Sequence, residues 1–496
     1  MNIVLILQMA AEAGPDRVGL VCDGRRWTYS ALLNAAKGAA ELFVNSGCAH
    51  VALLDESSEA APIALFGAAL AGIPYVPLNY RLADVDLGAL LDRIKPAYVI
   101  GDVERTNKLS EGHTCATRET FVAAAEAAAA EASGEEREGE GIAAQIFTSG
   151  TTAAPKAALL RHSNLLGYIL GAYEFMTADE SDAQLVCVPP YHIAGISALL
   201  SSFYSMRRIV MLPAFDPDTW LKLAEEEQVT NAFLVPTMLA RIIARMDETG
   251  NAELPCVQSI AYGGGRMPPE LIARALDLFP NCNFTNAYGL TETSSTIALL
   301  TPDDHRIAHQ SDDPKVHARL GSVGKPLPTI ELEIRDDEGK VLPAGERGEI
   351  YVRGEQVSGE YREKSVLDAE GWFPTRDAGY LDEEGYLFLA GRADDVIVRG
   401  GENISPGEIE DVLATHPAIA DSVAVGAPSV EWGEAVAIAV VIRPGHDKPS
   451  EDELCQLIKD RLRSSRVPEQ VRFVDELPYN EMGKLLRREV RKLFQD

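Results

Sequence analysis

The feature that most constrains this chain is a long alternation of short apolar runs with helix-patterned segments. In the first 120 residues VGLVCD, SALLNAAKGAAELFVNSG, HVALLD, AAPIALFGAALAGI and YVPL follow one another. Short apolar runs that stop at turn residues read as buried strands, and longer stretches of 3.6-residue spacing read as helices. Their alternation predicts a parallel sheet covered by helices. The rhythm continues to about residue 300 through QLVCVPP, RRIVMLP, NAFLVP and SIAYGG. From about 320 to 390 the pattern turns to period two, as in IELEIRD and GEIYVRG, predicting a small antiparallel sheet or barrel. After GRADDVIVRGG come a helix (PGEIEDVLATHP), two strands (DSVAVGAP, AVAIAVVI) and a helix (EDELCQLIKDRLRSS), enough for a separate α+β domain. Between Phe121 and Gly141, Ala/Glu helix formers give way to a charged, Gly-rich stretch, read as a helix and then an exposed linker at about 131–141. The fold class is therefore α/β: a large domain over 1–392, made of β/α subdomains and a small β-barrel-like part, then a small α+β domain over 393–496.

Charge narrows the partners. Across 496 residues there are 75 acidic and 45 basic side chains, a formal charge of -30 that repels a phosphate backbone and argues against nucleic acid. A small anion has to be captured by local donors: backbone N–H groups, a helix N-terminus, a few placed Lys or Arg. Seven scattered cysteines with no CxxC spacing argue against a disulfide framework or zinc cluster and fit a reducing cytoplasm. The start, MNIVLILQMAAEAG, lacks the basic flank of a signal peptide and reads as an amphipathic helix, and no run approaches a membrane span. The expectation is a cytoplasmic protein without stable membrane insertion.

Four segments can carry chemistry. In QIF-TSGTTAAPK-AALLRHSNLLGYIL a strand leads into small hydroxylated residues, one glycine and Lys156, then a helix pattern: a phosphate cradle, or on its own a polar β-turn. It is not a Walker loop, because the Gly150–Lys156 spacing is wrong and no hydroxyl follows the lysine. NAYGLTETS (286–294) gathers an aromatic, a glycine, a hydroxyl and a carboxylate, suited to base stacking, close backbone approach, phosphate contact and metal ligation, or simply to an N-capped helix start. The stretch 371–410 is dense in Asp, Arg and Gly at turns, where Asp side chains could accept ribose hydroxyls and Arg392 could face a phosphate. LPYNEMGKLLRREVRK places Lys484 after a Met-Gly turn.

In this order and at these separations the four segments resemble the superfamily of acyl- and aryl-CoA synthetases, peptide synthetase adenylation domains and luciferases, over almost the whole chain. The resemblance implies an N-terminal AMP-binding domain and a mobile C-terminal lid with its hinge at Asp394. It puts Thr148, Ser149, Gly150, Thr151, Thr152 and Lys156 around the ATP phosphates. Gly263, Gly264 and Gly265 would line adenine and the acyl pocket, Asn286, Ala287 and Gly289 would belong to the nucleotide site, Tyr288 would stack on adenine, and Thr291 would meet the α-phosphate. Glu292 would hold Mg²⁺, Asp377 the ribose hydroxyls, and Arg392 would lie beside ribose and phosphate. The acid would sit by Tyr191, His192, Ile193, Gly195 and Gly263; as a lone histidine, His192 would otherwise be a satisfied core residue. The CoA pantetheine would pass Gly400, Gly401, Glu402 and Trp432. Lys484, Thr148, Glu292 and His192 form the catalytic set.

The implied activity is ATP-dependent activation of a carboxylic acid to an acyl-adenylate, then transfer to the CoA thiol, by a monomer or homodimer. A carboxylate approaching an α-phosphate demands alignment and charge neutralisation rather than a general base, which Lys484, Mg²⁺ and the hydroxyl loop would supply. The alternatives are an enzyme loading a carrier-protein thiol and a catalytically silent nucleotide-binding regulator. Ala153 and Ala157 stand where the family pattern has glycines, and Arg376 stands in TRD where TGD is usual. From Lys459 to Lys492 ten basic residues face six acidic ones, either a landing surface for a nucleotide or a solvated helix face.

Overall fold

The computed structural model describes all residues except 110, 149–154, 251–253, 255, 337, 393–394, 401, 430, 480–484 and 496, and for Asn403 the backbone only. The expected β/α alternation resolves into two mainly parallel sheets. One has nine strands in the order Lys325–Pro326, Ser295–Leu300, Asn283–Leu290, Ser259–Gly263, Asn231–Leu234, Ala183–Val186, Arg208–Met211, Val18–Cys22, Arg25–Thr28. The other has six: Thr114–Thr117, Ala97–Gly101, His50–Leu54, Tyr75–Pro77, Ile142–Thr148, Lys156–Arg161. Strand pairs joined by short connections, such as Val18–Cys22 with Arg25–Thr28 and Ile142–Thr148 with Lys156–Arg161, are antiparallel.

Helix Ala60–Ala71 has every residue buried, as its sequence without a single charge requires. Each of its fully buried Ile63, Leu65, Phe66 and Leu70 side chains is worth about 2 kcal/mol of transfer free energy. The neighbouring helix Tyr29–Ser46 starts where Thr28 accepts a hydrogen bond from the Ala31 amide at 3.2 Å. The first helix, Val4–Ala13, buries Val4, Ile6, Leu7 and Ala10, in keeping with the amphipathic expectation.

The period-two region forms a four-stranded antiparallel sheet, Glu331–Arg335, Gly348–Arg353, Phe373–Leu381 and Leu387–Arg392. Among the described residues its strand order has two ends, so the β-barrel-like part is an open sheet. The C-terminal domain has a five-stranded sheet centred on Ile419–Ser429 and Gly433–Ile442, with Gln470–Phe473 alongside. Alternating side chains of this sheet feed two small cores of their own, Ala424, Val436 and Ile438 on one face and Val423, Val425 and Ala437 on the other. A domain with its own core is what the sequence pattern called for. No helix among the described residues is long and apolar enough to cross a membrane.

Candidate active site

Strands Ser259–Gly263 and Asn283–Leu290 run parallel, with Gly263 opposite Ala287, so the glycine and aromatic motifs meet at the carboxyl ends of parallel strands. That edge is where open α/β sheets take their ligands. Glycine is required at two positions. A Cβ on Gly263 would lie 2.3 Å from the Ala287 carbonyl oxygen, and one on Gly289 would lie 1.7 Å from that of Ser295. The chain then turns through Thr291–Thr293, passes Ser294 and Ser295 at φ 55° and 114°, and returns as the strand Ser295–Leu300. Asn286 is committed to the scaffold, donating to the Ser322 carbonyl at 3.0 Å.

Tyr288, Asp377 and Arg392 converge. The Tyr288 phenol donates to Asp377 Oδ2 at 2.6 Å, and Arg392 Nη1 donates to Asp377 Oδ1 at 2.9 Å. Asp377 and Arg392 are cross-strand partners, and Asp377 and Tyr288 are each only 9% exposed. Burial, then the Asp377 charge and hydrogen bond, push the Tyr288 phenol well above its usual range, so it stays a donor. Burial pulls the Arg392 pKa down, but Asp377 outweighs it and the guanidinium is held charged. With one protein donor on each oxygen, Asp377 keeps lone pairs for two further donors such as vicinal hydroxyls.

A segment that the sequence did not single out ties the other two motifs together. Residues 356–362 run along the strand Lys156–Arg161: Arg362 N donates to Ala157 O at 3.0 Å, Leu159 N donates to Glu360 O at 2.9 Å, and Arg161 grips the Glu360 carboxylate with two bonds of 2.8 Å. The same segment holds the Glu292 turn. Ser358 N and Gly359 N donate to the Glu292 carbonyl at 2.8 and 3.3 Å, and Gln356 Nε2 donates to the carbonyls of Thr293 and Thr296 at 3.1 and 2.7 Å. The Tyr361 phenol donates to Glu292 Oε1 at 2.5 Å, while Lys156 Nζ lies 5.5 Å from the centre of the Tyr361 ring. Thr148 is the cross-strand partner of Lys156, and Ser149, Gly150, Thr151 and Thr152 lie outside the described residues, as does Ala153. Ala157 sits in regular strand register opposite Phe147, where an alanine replaces glycine without strain.

Among the residues expected to border the acid, Tyr191 packs its ring 4.5 Å from His192 and edge-on to Tyr80 at 5.6 Å. Burial lowers the His192 pKa to about 4, leaving a neutral imidazole at ordinary pH. Gly195 lines a small apolar cavity with Ser57, Tyr75, Val186, Ile196 and Met211. A second, polar cavity of about 110 Å³ lies among Tyr80, Arg81, Cys187, Pro189, Phe215 and Arg241.

In the C-terminal domain Gly400 N donates to the Trp432 carbonyl at 2.9 Å, and the Trp432 ring is 40% exposed beside Gly400. Glu402 is bonded to Arg466. Gly401, Asp394 and Lys484 lie outside the described residues. Four of the ten basic residues between 459 and 492 form ion pairs within their own domain: Arg466 with Glu402 and Glu408, Arg487 with Glu410, Arg491 with Asp395, Lys492 with Glu489. Arg376 adopts φ 63° and turns its side chain toward Glu349, Nε 3.7 Å from Oε1.

The family model described as "AMP-binding enzyme" matches residues 7–362, and that of the AMP-binding enzyme C-terminal domain matches 408–484. The chain belongs to the AMP-binding enzyme family. It is 32% identical over 512 residues to the fatty acid–[acyl-carrier-protein] ligase ScoC of Streptomyces coeruleorubidus, covering 99% of this chain and 96% of that protein. It is also 32% identical over 498 residues to the 2-succinylbenzoate–CoA ligase of Bacillus cereus strain AH820, covering 99% and 98%. The solved o-succinylbenzoate CoA synthetase of Bacillus subtilis with its acyl-adenylate intermediate superposes with a TM-score of 0.81 at 28% identity, covering 98% of this chain and 97% of that one. The same synthetase with ATP and magnesium ion gives 0.81 at 29% identity, covering 98% and 99%. This AMP-binding enzyme therefore has the mixed α/β architecture of its family along its full length, large domain first and small domain last.

Proposed function

We propose that this enzyme joins a carboxylic acid to the thiol of CoA in two steps at one site. A carboxylate oxygen attacks the ATP α-phosphorus and pyrophosphate leaves. The CoA sulfur then attacks the acyl carbon, AMP leaves with the bonding pair, and a thioester remains. The observation that carries the reading is the convergence of Tyr288, Asp377 and Arg392 beside the Glu292–Tyr361–Lys156 cluster. The first cluster suits a nucleoside: an aromatic wall, a carboxylate with free lone pairs for ribose hydroxyls, and a charged guanidinium for a phosphate. The second offers a cation for phosphate oxygens and a carboxylate for a metal.

Among the described residues no three His, Cys, Asp or Glu side chains gather to form a metal cage. Glu292 alone, buried with one donor on one oxygen, fits a magnesium ion carried mainly by the nucleotide phosphates. Glu292 would hold that ion, whose contribution is to neutralise charge on the triphosphate. Lys156 and the hydroxyl loop would grip the departing pyrophosphate, and Lys484 would stabilise charge at the α-phosphate. Neutral His192 and the ring of Tyr191 would border the acid without adding a second charge, which suits an aryl-bearing or apolar acid better than a small dianion. The likeness to 2-succinylbenzoate–CoA ligases supports an aryl-bearing acid and CoA. Seven scattered cysteines without CxxC spacing fit a reducing compartment, and we place the reaction in the cytoplasm.

The likeness to an acyl-carrier-protein ligase favours one second reading, a carrier thiol in place of CoA. Offering CoA and a holo-carrier protein side by side separates them: acyl-CoA is expected, and thioester on the carrier alone would overturn the CoA assignment. Lys484→Ala is expected to lose adenylation by a hundredfold or more, on the scale of about 3 kcal/mol for one transition-state contact, while thioester formation from supplied acyl-adenylate persists. Equal loss of both steps would refute the role of Lys484.

A further inference from the structure

Tyr361 touches both charged groups of the phosphate end of the site. Its phenol donates to Glu292 Oε1 at 2.5 Å, and its ring centre is 5.5 Å from Lys156 Nζ. Its backbone is fixed from two sides. Tyr361 forms a bridge with Ala158, two residues beyond Lys156, and Tyr361 N donates to Lys364 O at 2.9 Å. Just ahead of it, Ser358 N and Gly359 N hold the Glu292 carbonyl. The phenol thus stands on a frame that grips the strand of the lysine and the turn of the carboxylate together.

A buried carboxylate with a free ammonium nearby tends to collapse onto it in a direct ion pair, which would consume the charges meant for metal and phosphate. An aromatic ring attracts the ammonium to its face without taking a proton or presenting a counter-charge. A phenol donor fixes one carboxylate oxygen and leaves the remaining lone pairs free.

We propose that Tyr361 is a positioning residue for the metal–nucleotide complex: its hydroxyl aims the Glu292 carboxylate, and its ring keeps Lys156 apart from that carboxylate. The proposal rests on Glu292 and Lys156 serving metal and phosphate as argued above.

The test is equilibrium binding, with no turnover required. Mn²⁺ binding in the presence of ATP, followed by electron paramagnetic resonance, and ATP binding without metal, followed by calorimetry, are compared for wild type, Tyr361→Phe, Tyr361→Leu and Glu292→Gln. Tyr361→Phe, which keeps the ring, is expected to weaken Mn²⁺ binding about tenfold, on the scale of a hydrogen bond to a charged group. Its metal-free ATP affinity should stay within twofold. Tyr361→Leu, which loses the ring as well, is expected to weaken metal-free ATP binding severalfold in addition. Unchanged Mn²⁺ binding in Tyr361→Phe while Glu292→Gln loses it overturns the proposal and leaves the role of Glu292 standing. Unchanged Mn²⁺ binding in both overturns the reading of Glu292, and the proposal with it. Equal weakening of metal-free and metal-bound ATP in Tyr361→Phe overturns the proposal in favour of a merely structural tyrosine. Thermal melts of each variant establish that the fold is retained.

Discussion

Arg376 occupies a backbone conformation that disfavours any residue with a Cβ, φ 63°, directly before Asp377. The left-handed region costs an L-residue about 1–2 kcal/mol, and glycine there gives back about 0.5–1 kcal/mol through its greater unfolded-state freedom. The Arg376–Glu349 contact is solvent-exposed on the arginine side and worth little. Arg376→Gly is therefore expected to stabilise the protein by about 0.5–1 kcal/mol, seen as a rise in melting temperature; a fall would mean that the guanidinium does more than reach Glu349. The odd residue in TRD was legible in the sequence, but its cause was not, because a positive φ leaves no mark when glycine is absent. Tyr361 was missed for a related reason. One aromatic in VSGEYREK has no periodic or motif context, and only the pairing of residues 356–362 with the strand Lys156–Arg161 brings it to Glu292, 69 positions away. Tyr288, Asp377 and Arg392 could be named in advance because each lies in a turn-rich segment of known pattern. Their mutual hydrogen bonds could not, since those depend on the register between Phe373–Leu381 and Leu387–Arg392.

Helices and strands were readable wherever burial is one-sided or complete. Ala60–Ala71 and the strands ending at Leu234 and Gly263 follow from apolar runs stopped by turn residues. The open form of the sheet from Glu331 to Arg392 was beyond period-two reading, because alternation fixes which side chains face inward and not whether the first and last strands meet. In the C-terminal domain the helix Pro406–Ala414 is anchored by one buried carboxylate. Glu410 accepts from Ala424 N at 2.9 Å and from Arg487 Nη2 at 2.9 Å, and Arg487 also bonds the Ala424 carbonyl at 2.8 Å. Arg266, from the glycine-motif loop, reaches Glu410 at 3.7 Å and pairs with Asp411, linking the two domains at this node. Removing one partner of a buried pair strands the other, so Arg487→Ala is expected to destabilise the C-terminal domain by about 3–5 kcal/mol. Hydrogen exchange over Pro406–Ala414 and Ile419–Ser429 reads this directly. Unchanged protection there would mean that Arg266 or water replaces the lost guanidinium.

Over the whole molecule, burial keeps several histidines neutral. His162, His192 and His305 are each pushed down to about 4, chiefly by burial. In the unfolded chain they protonate near 6.5. Between about 6.5 and 4 the unfolded state therefore binds more protons than the folded one, and stability falls as pH drops through that window. At pH 5 these residues are expected to take up roughly two to three protons from solvent on unfolding, measured as the slope of unfolding free energy against pH. A flat profile from pH 6 to 5 would contradict the burial.

The net charge of -30 leaves capture of an anionic nucleotide to local groups, and the proposed function assigns that capture to the meeting of the Tyr288, Asp377, Arg392, Lys156 and Glu292 side chains. The central claim, that this site makes an acyl-adenylate, is tested most directly by exchange of labelled pyrophosphate into ATP over a panel of aryl and aliphatic acids, without any thiol. Exchange that requires the acid and is lost in Glu292→Gln is the predicted result. No exchange with any acid across the panel would contradict it and leave a protein that binds nucleotide without acid-activating chemistry.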